Sequence, residues 1–319
     1  MTDKFGKYEV VRQLASGGFG SVYEARDPVI QRAVAIKTCH VSDAEVRERF
    51  LQEARLAGNL HHRNLTTIYD IGDEGSVLYL VCEFLPGEDL DKLVEHRELT
   101  LLEKVEILIG IAYGLAHAHN AGVVHRDIKP GNIRILPDAE VKIMDFGVAK
   151  SMHAERTLTR AGETLGTAFY LSPEQVRGDP IDRRTDIFSF GVLAYELISS
   201  KRPFVGSSAA AILDAILRHE PPSLQEVSGV APPLSQIVER AMQKKPEDRY
   251  SSMDALRKDL ISFRGKLLAP DTIAESPEPA PAITAAPAPK ARQPAFWIAL
   301  LIAVTAAALV LWLLMHGAR

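Results

Sequence analysis

The turn Ala15-Ser16-Gly17-Gly18-Phe19-Gly20-Ser21-Val22 carries three glycines. Glycines so placed let backbone N–H groups approach phosphate oxygens closely. β-prone runs flank the turn on both sides, over residues 8–14 and 21–26. A dinucleotide-binding loop needs a helix on the far side, and a Walker loop needs Gly-Lys-Ser/Thr, which is missing. Taken alone, the turn is a weak signal, and an ordinary hairpin is the favoured reading. Lys37 closes the run Val34-Ala35-Ile36-Lys37, where alternation puts it on one face with Ala35 and Cys39, opposite Val34 and Ile36. Glu53 interrupts the apolar helical seam Val46-Phe50-Glu53-Ala57-Leu60. A carboxylate facing inward from a helix needs a cation, and Lys37 is the economical choice. A solvated glutamate at the edge of the seam is the other reading.

Further along, His125-Arg126-Asp127-Ile128-Lys129-Pro130-Gly131-Asn132 is followed, 13 residues after Asn132, by Asp145-Phe146-Gly147. With these motifs the sequence resembles the protein-kinase superfamily, most closely the serine/threonine kinases of bacterial membranes. The matching motifs run from about Tyr8 to Leu260, in the family's order and at its spacing. The resemblance implies transfer of the ATP γ-phosphate to Ser/Thr hydroxyls of proteins, in signalling. Position by position, it implies that Gly17, Gly18 and Gly20 cover the ATP phosphates, with Phe19 at the loop tip. Leu14, Ala15, Ser16, Ser21, Val22 and Ala35 complete the nucleotide site, and Glu83 and Leu85 offer backbone groups to adenine. Lys37 would hold the α- and β-phosphates and be fixed by Glu53. Asp127 would accept or orient the proton of the attacking hydroxyl, and Lys129 would contact the transferred phosphate, as in serine/threonine-type enzymes. Asn132 and Asp145 supply hard oxygens suited to Mg²⁺, with Mn²⁺ as a substitute.

More distant pieces agree. Gly166-Thr167-Ala168-Phe169-Tyr170 and Ser172-Pro173-Glu174 match the end of the activation loop, whose glutamate the family pairs with a late arginine, here Arg249. Asp186 matches the aspartate that braces the catalytic loop. Arg126 is implied as the partner of an autophosphorylated threonine, with Thr157 and Thr159 the first candidates and Thr164 the next. The sequence departs from the family pattern at Ala15, where a glycine is usual, at Ser172 for alanine, and at Arg63 for proline.

These residues need elements to hold them. Strand patterns recur over residues 33–39 and 76–84, and a helical pattern covers 43–60. After Gly87 the pattern is mainly helical, clearest over 101–121, 186–199 and 235–244. Strands first and helices later predict an α+β, bilobal kinase fold: a β-rich N-lobe over about 8–84 and a helical C-lobe over about 88–264. His61, His62, His117, His119 and His125 fit no zinc spacing; His125 is expected in the catalytic-loop scaffold and the other four at helix ends or on the surface. Cys82 falls at the gatekeeper position and is expected to pack as a small hydrophobe.

Hydrophobic residues make up 46% of the 319 and charged residues 24%, which suits a globular chain. The net charge of −4 offers no basic excess for nucleic acid. Two cysteines provide no disulfide framework and suit a reducing compartment. Residues 265–294 read as a linker; from Leu268 to Pro294 there are seven prolines and eight alanines, a composition that cannot build a core. Residues 295–315 follow, with Thr305 the one polar side chain and Trp297 and Trp312 near the ends. As a helix they would reach roughly 31 Å, a bilayer's hydrocarbon thickness. The expectation is a single-pass anchor in the plasma (inner) membrane, kinase domain cytoplasmic and C-terminus outside. Expected partners are protein substrates and the lipid bilayer; a kinase–kinase dimer is compatible with the same reading. Two rivals are a catalytically dead tethered scaffold, which intact Lys37, Asp127, Asn132 and Asp145 argue against, and a small-molecule kinase, which the peptide-site segment 166–174 argues against.

Overall fold

A computed structural model describes residues 4–17, 20–40, 43–75, 77–146 and 168–269. Gly18, Phe19, Gly147, Thr157, Thr159, Thr164, the Pro/Ala-rich linker beyond Ala269 and the expected span 295–315 lie outside the described residues. Among the described residues, no helix is long and apolar enough to cross a membrane.

Among the described residues, nine strands form two sheets. The first is antiparallel and six-stranded, in the order β1 (Lys4–Phe5), β2 (Tyr8–Gly17), β3 (Gly20–Arg26), β4 (Ala33–His40), β6 (Val77–Glu83), β5 (Ile68–Glu74). The small second sheet pairs β7 (Glu88–Asp89), β8 (Ile133–Ile135) and β9 (Val141–Ile143). The expected alternation in β4 holds. Val34 and Ile36 are fully buried in a cluster with Phe5, Tyr8 and Val81, while Cys39 joins the larger core on the opposite face. β5 has no counterpart in the sequence-based expectation, because its residues Ile-Tyr-Asp-Ile-Gly-Asp-Glu include three carboxylates and show no apolar alternation. As an edge strand it pairs on one side only, with β6, and needs little apolar surface. β1 also extends the fold upstream of Tyr8, and its Phe5 packs against Tyr23 and Tyr79.

α1 (Ala44–Gly58) begins where the Asp43 carboxylate accepts bonds from the Glu45 and Val46 N–H groups. It buries Phe50, Ala54 and Ala57. Beyond the first sheet come α2 (Leu90–His96), α3 (Leu101–Asn120), α4 (Pro173–Arg177), α5 (Arg184–Ser199), α6 (Ala209–Arg218), α7 (Leu224–Ser228), α8 (Pro232–Ala241) and α9 (Met253–Leu268). Thr100 and Glu103 cap α3 reciprocally, the Thr100 hydroxyl accepting from Glu103 N and the Glu103 carboxylate from Thr100 N. α5 is buried nearly all round, including Phe188, Phe190 and Tyr195, so it is the post around which the helical lobe packs.

Two expected boundaries move. The helix read over 235–244 spans Pro232–Ala241, because Pro232 and Pro233 fall in its first turn, where a missing N–H costs nothing. The expected limit at 264 falls inside α9, which continues to Leu268 and packs along α3. Residues 265–268 are therefore helix and not linker.

Candidate active site

The site assembles where β2–β4, α1, the 125–132 loop and the end of β9 meet. Gly17 pairs with Gly20 to close the β2–β3 hairpin, with Ser16 opposite Ser21 and Ala15 opposite Val22. Gly20 has φ +152°, and a Cβ there would stand 1.9 Å from the Thr38 carbonyl oxygen, so this close approach to β4 requires glycine. Thr38 fixes the same edge, its hydroxyl accepting from Ser21 N at 2.9 Å and donating to Ser21 O at 3.1 Å. On β4, Lys37 sits opposite Val22 and Leu80, and Ala35 opposite Cys82.

Lys37 and Glu53 do not form the expected pair. Lys37 Nζ lies 2.9 Å from Asp145 Oδ2, and Glu53 Oε1 accepts from Arg126 Nη1 at 3.1 Å. Glu53 does need a cation, as its place in the seam implied, but the position of α1 offers it the arginine of the catalytic loop instead of the lysine of β4. Partial desolvation in the cleft works against the Lys37 and Asp145 charges. Their mutual attraction outweighs it, holding Asp145 below the ordinary carboxylate range and Lys37 above the ordinary lysine range.

The catalytic loop is wired through backbone. Asp186, fully buried at the start of α5, accepts from His125 N at 2.7 Å, Arg126 N at 2.8 Å and the His119 ring at 2.8 Å. Burial alone would raise its pKa; the His119 hydrogen bond and charge hold it below the usual range. His125 Nε2–H donates to the Met144 carbonyl at 2.8 Å, and Nδ1 accepts from Asp127 N at 3.2 Å, which fixes one tautomer. Burial pushes the pKa of this imidazole down, so it serves as a neutral strut. Arg126 has φ +66° and Asp145 φ +57°, left-handed conformations that cost a non-glycine residue about 1–2 kcal/mol. Both flank the reacting centre, where such strain is commonly held in place by surrounding bonds.

Asp127 is oriented from two sides. Asn132 Nδ2 donates to the Asp127 carbonyl at 2.7 Å and to its Oδ2 at 2.9 Å, and Lys129 Nζ lies 3.0 Å from the same Oδ2. Met144 N donates to Asn132 O at 2.8 Å, tying this loop to the residue before Asp145. With its NH₂ spent on Asp127, the Asn132 amide keeps Oδ1 for a cation, and Asp145 adds a carboxylate. That oxygen set fits a hard divalent ion.

At the back of the cleft, Glu83 is held by Lys142 Nζ at 3.0 and 3.1 Å, and Leu85 is buried. Desolvation pushes the Cys82 thiol up to about 12, which keeps it protonated and inert, in line with its expected packing role. The histidines are scaffold pieces: His119 and His125 serve the Asp186 network, and His62 stacks on His117 at 4.9 Å. Glu174 and Arg249 form the expected pair, with bonds of 2.7 and 2.8 Å, and Thr185 Oγ1 adds a third to the carboxylate at 2.7 Å. His119, expected at a helix end or on the surface, ends α3 but is buried against Asp186. Sequence reasoning missed Lys142, which no local pattern marks, and Gln175, whose one signal is the capping spacing Ser172-x-x-Gln175.

Comparison with known proteins agrees with this geometry. The protein kinase domain model matches residues 8–261. A probable serine/threonine-protein kinase of Streptomyces coelicolor, SCO3848, is 39% identical over 266 residues, covering 80% of this chain and 39% of the relative. Serine/threonine-protein kinase PknL of Mycobacterium tuberculosis is 39% identical over 270 residues, covering 83% of this chain and 67% of PknL. PknA of the same species is 38% identical over 256 residues, covering 77% of this chain and 59% of PknA. The chain thus spans between 39% and 67% of the length of these relatives. On the family match, which covers residues 8–261, the chain belongs to the protein kinase family.

Proposed function

We propose that this chain is an ATP- and Mg²⁺-dependent serine/threonine protein kinase. The observation that carries the reading is the Asp127 carboxylate held by Asn132 and Lys129, in the same cleft as the Lys37–Asp145 pair. Phosphoryl transfer asks for charge neutralisation and alignment more than for covalent help. Gly17, Gly18 and Gly20 cover the phosphates; Leu14, Val22, Ala35, Glu83 and Leu85 frame the base. Lys37 binds the α- and β-phosphates. Asn132 and Asp145 would hold the divalent ion, which would supply charge neutralisation to the nucleotide phosphates. Asp127 orients the substrate hydroxyl and takes its proton, and Lys129 moves from Asp127 Oδ2 to the transferring phosphoryl group. The names of the similar proteins, all serine/threonine kinases, support a hydroxyl acceptor on proteins.

The present pairing is that of a resting enzyme. Arg126 is engaged by Glu53, and its Nε is buried with no hydrogen-bond partner among the described residues. A phosphate on Thr157, Thr159 or Thr164 would offer this guanidinium a stronger acceptor, releasing Glu53 toward Lys37.

Purified full-length protein, incubated with γ-labelled ATP, Mg²⁺ and a generic basic protein, is expected to yield phosphoserine and phosphothreonine. Label confined to small molecules, or no transfer from a nucleotide-binding protein, sinks the assignment.

The apolar stretch 295–315 supports a second element of the proposal, a single-pass anchor in the inner membrane with the kinase domain cytoplasmic. A spanning helix is held by burial and not by charge, so the protein should stay with membranes through high-salt washing. Release by salt alone would refute the anchor.

A further inference from the structure

Gln175 lies on α4, outside every motif that carries the kinase reading, yet its side-chain amide touches the catalytic loop. Its Oε1 accepts from Ser172 N at 3.0 Å, and its Nε2 donates to the Arg126 carbonyl at 3.0 Å. The orientation of the amide is unambiguous: the Ser172 N–H can only donate and the Arg126 carbonyl can only accept. Beneath it, α4 is a fixed base. Ser172 and Pro173 are buried, and Glu174 is locked to Arg249 and Thr185.

The contact falls on a particular peptide plane. Arg126 is held at φ +66°. On its N-terminal side, Asp186 takes the His125 and Arg126 N–H groups at 2.7 and 2.8 Å. On its C-terminal side, the Arg126–Asp127 peptide is held at the N–H end by His125 Nδ1, at 3.2 Å, and at the carbonyl end by Gln175. The tilt of that plane sets the direction in which the Asp127 side chain leaves the backbone. Without Gln175, the bonds given for this peptide among the described residues would reduce to one of 3.2 Å against the pull of a left-handed residue to relax.

We propose that Gln175 is a positioning residue for phosphoryl transfer: by clamping the Arg126 carbonyl it fixes the Arg126–Asp127 peptide and so the aim of the Asp127 carboxylate. The inference also ties the peptide-site segment to the catalytic loop through one amide, and it rests on the kinase reading above.

The test is Gln175→Glu in the full-length protein. This change keeps length, shape and the acceptor for Ser172 N. It removes the donor and sets a carboxylate oxygen against a carbonyl. The expected result is a fall in kcat of about ten- to a hundredfold, the scale of a small misplacement of a reacting group. KM for ATP should stay within about twofold and the melting temperature within about 2 °C. The deficit should shrink as pH falls, because a protonated carboxyl can donate again. Gln175→Met, uncharged and without a donor, should show a deficit that does not change with pH. A second readout needs no activity. Amide hydrogen exchange over residues 124–129 should quicken in both variants, while α5 keeps its protection. Faster exchange in a protein that transfers no phosphate would leave the clamp standing and retire the kinase reading. Unchanged exchange with kcat within twofold of the parent would overturn the proposal, as would a loss of kcat that is matched by lost thermal stability and a raised KM.

Discussion

Arg249 and Arg126 each bind a glutamate, and the two contacts differ in almost everything else. Arg249 has no exposed side-chain surface, and Glu174 keeps 5%. Two bonds join them, and the rest of the guanidinium is spent on the carbonyls of Gln243, Arg184 and Lys244. Arg126 keeps 39% of its side-chain surface and Glu53 26%, with a single contact between them at 3.1 Å. Lys37 and Asp145, at 36% and 45%, are equally accessible. A buried pair with every donor used cannot change partners without leaving a bare charge, which is prohibitive. In an open cleft, water covers the transition, and a pair at 4 Å is worth about 1 kcal/mol at bulk dielectric against about 4 kcal/mol near a protein surface. The helical lobe therefore holds its shape, while the proposed exchange of partners among Lys37, Glu53, Arg126 and Asp145 carries a far smaller penalty.

Breaking the fixed side should have the largest effect. Arg249→Met leaves Glu174 buried without its cation and should destabilise the domain by about 3–5 kcal/mol. That corresponds to a melting temperature lower by roughly 6–20 °C, measured by calorimetry. The pH dependence follows from the same pair. Burial alone would raise the Glu174 pKa, but the bonds from Arg249 and Thr185 hold it below the ordinary 4.5. Stability from this group is thus complete above the unfolded carboxyl value and lost as pH falls through the native one. In Arg249→Met burial is left to raise the Glu174 pKa, so protonation relieves the buried charge and the destabilisation relative to the parent should shrink as pH falls. A variant that melts within 2 °C of the parent would contradict the fixed role.

Sharpening the exchangeable side calls for a smaller loss. The triple replacement of Thr157, Thr159 and Thr164 by alanine removes the acceptors that would draw Arg126 from Glu53. Activity should fall about tenfold or more, at unchanged melting temperature, and phosphopeptide mapping of the active parent should find phosphate on at least one of the three. A fully active triple variant would show that the re-pairing is not driven from these positions.

Much of this site was legible in the sequence because kinase chemistry depends on residue types at fixed spacing. Lys37, Asp127, Asn132 and Asp145 converge as their motifs implied, and Asp186 and Arg249 take their expected structural partners. What was not legible depends on placement in space. The charge of Glu53 was clear from the seam, but its partner is decided by where α1 sits, and several cations stand within reach of such a helix. β5 is hidden because an edge strand with Asp70, Asp73 and Glu74 carries no apolar alternation. Gln175 looks like any polar helix residue until the fold brings it against Arg126.

Single-turnover transfer from γ-labelled ATP to a serine- or threonine-bearing protein, comparing the parent with Asp127→Asn, tests the account most directly. The substitution keeps size and shape and removes the group that takes the proton. The rate should fall about 10²–10⁴-fold, with ATP affinity within about twofold. A rate within tenfold of the parent would mean that Asp127 is not the residue that handles the hydroxyl proton, and that the reading of this site is wrong at its centre.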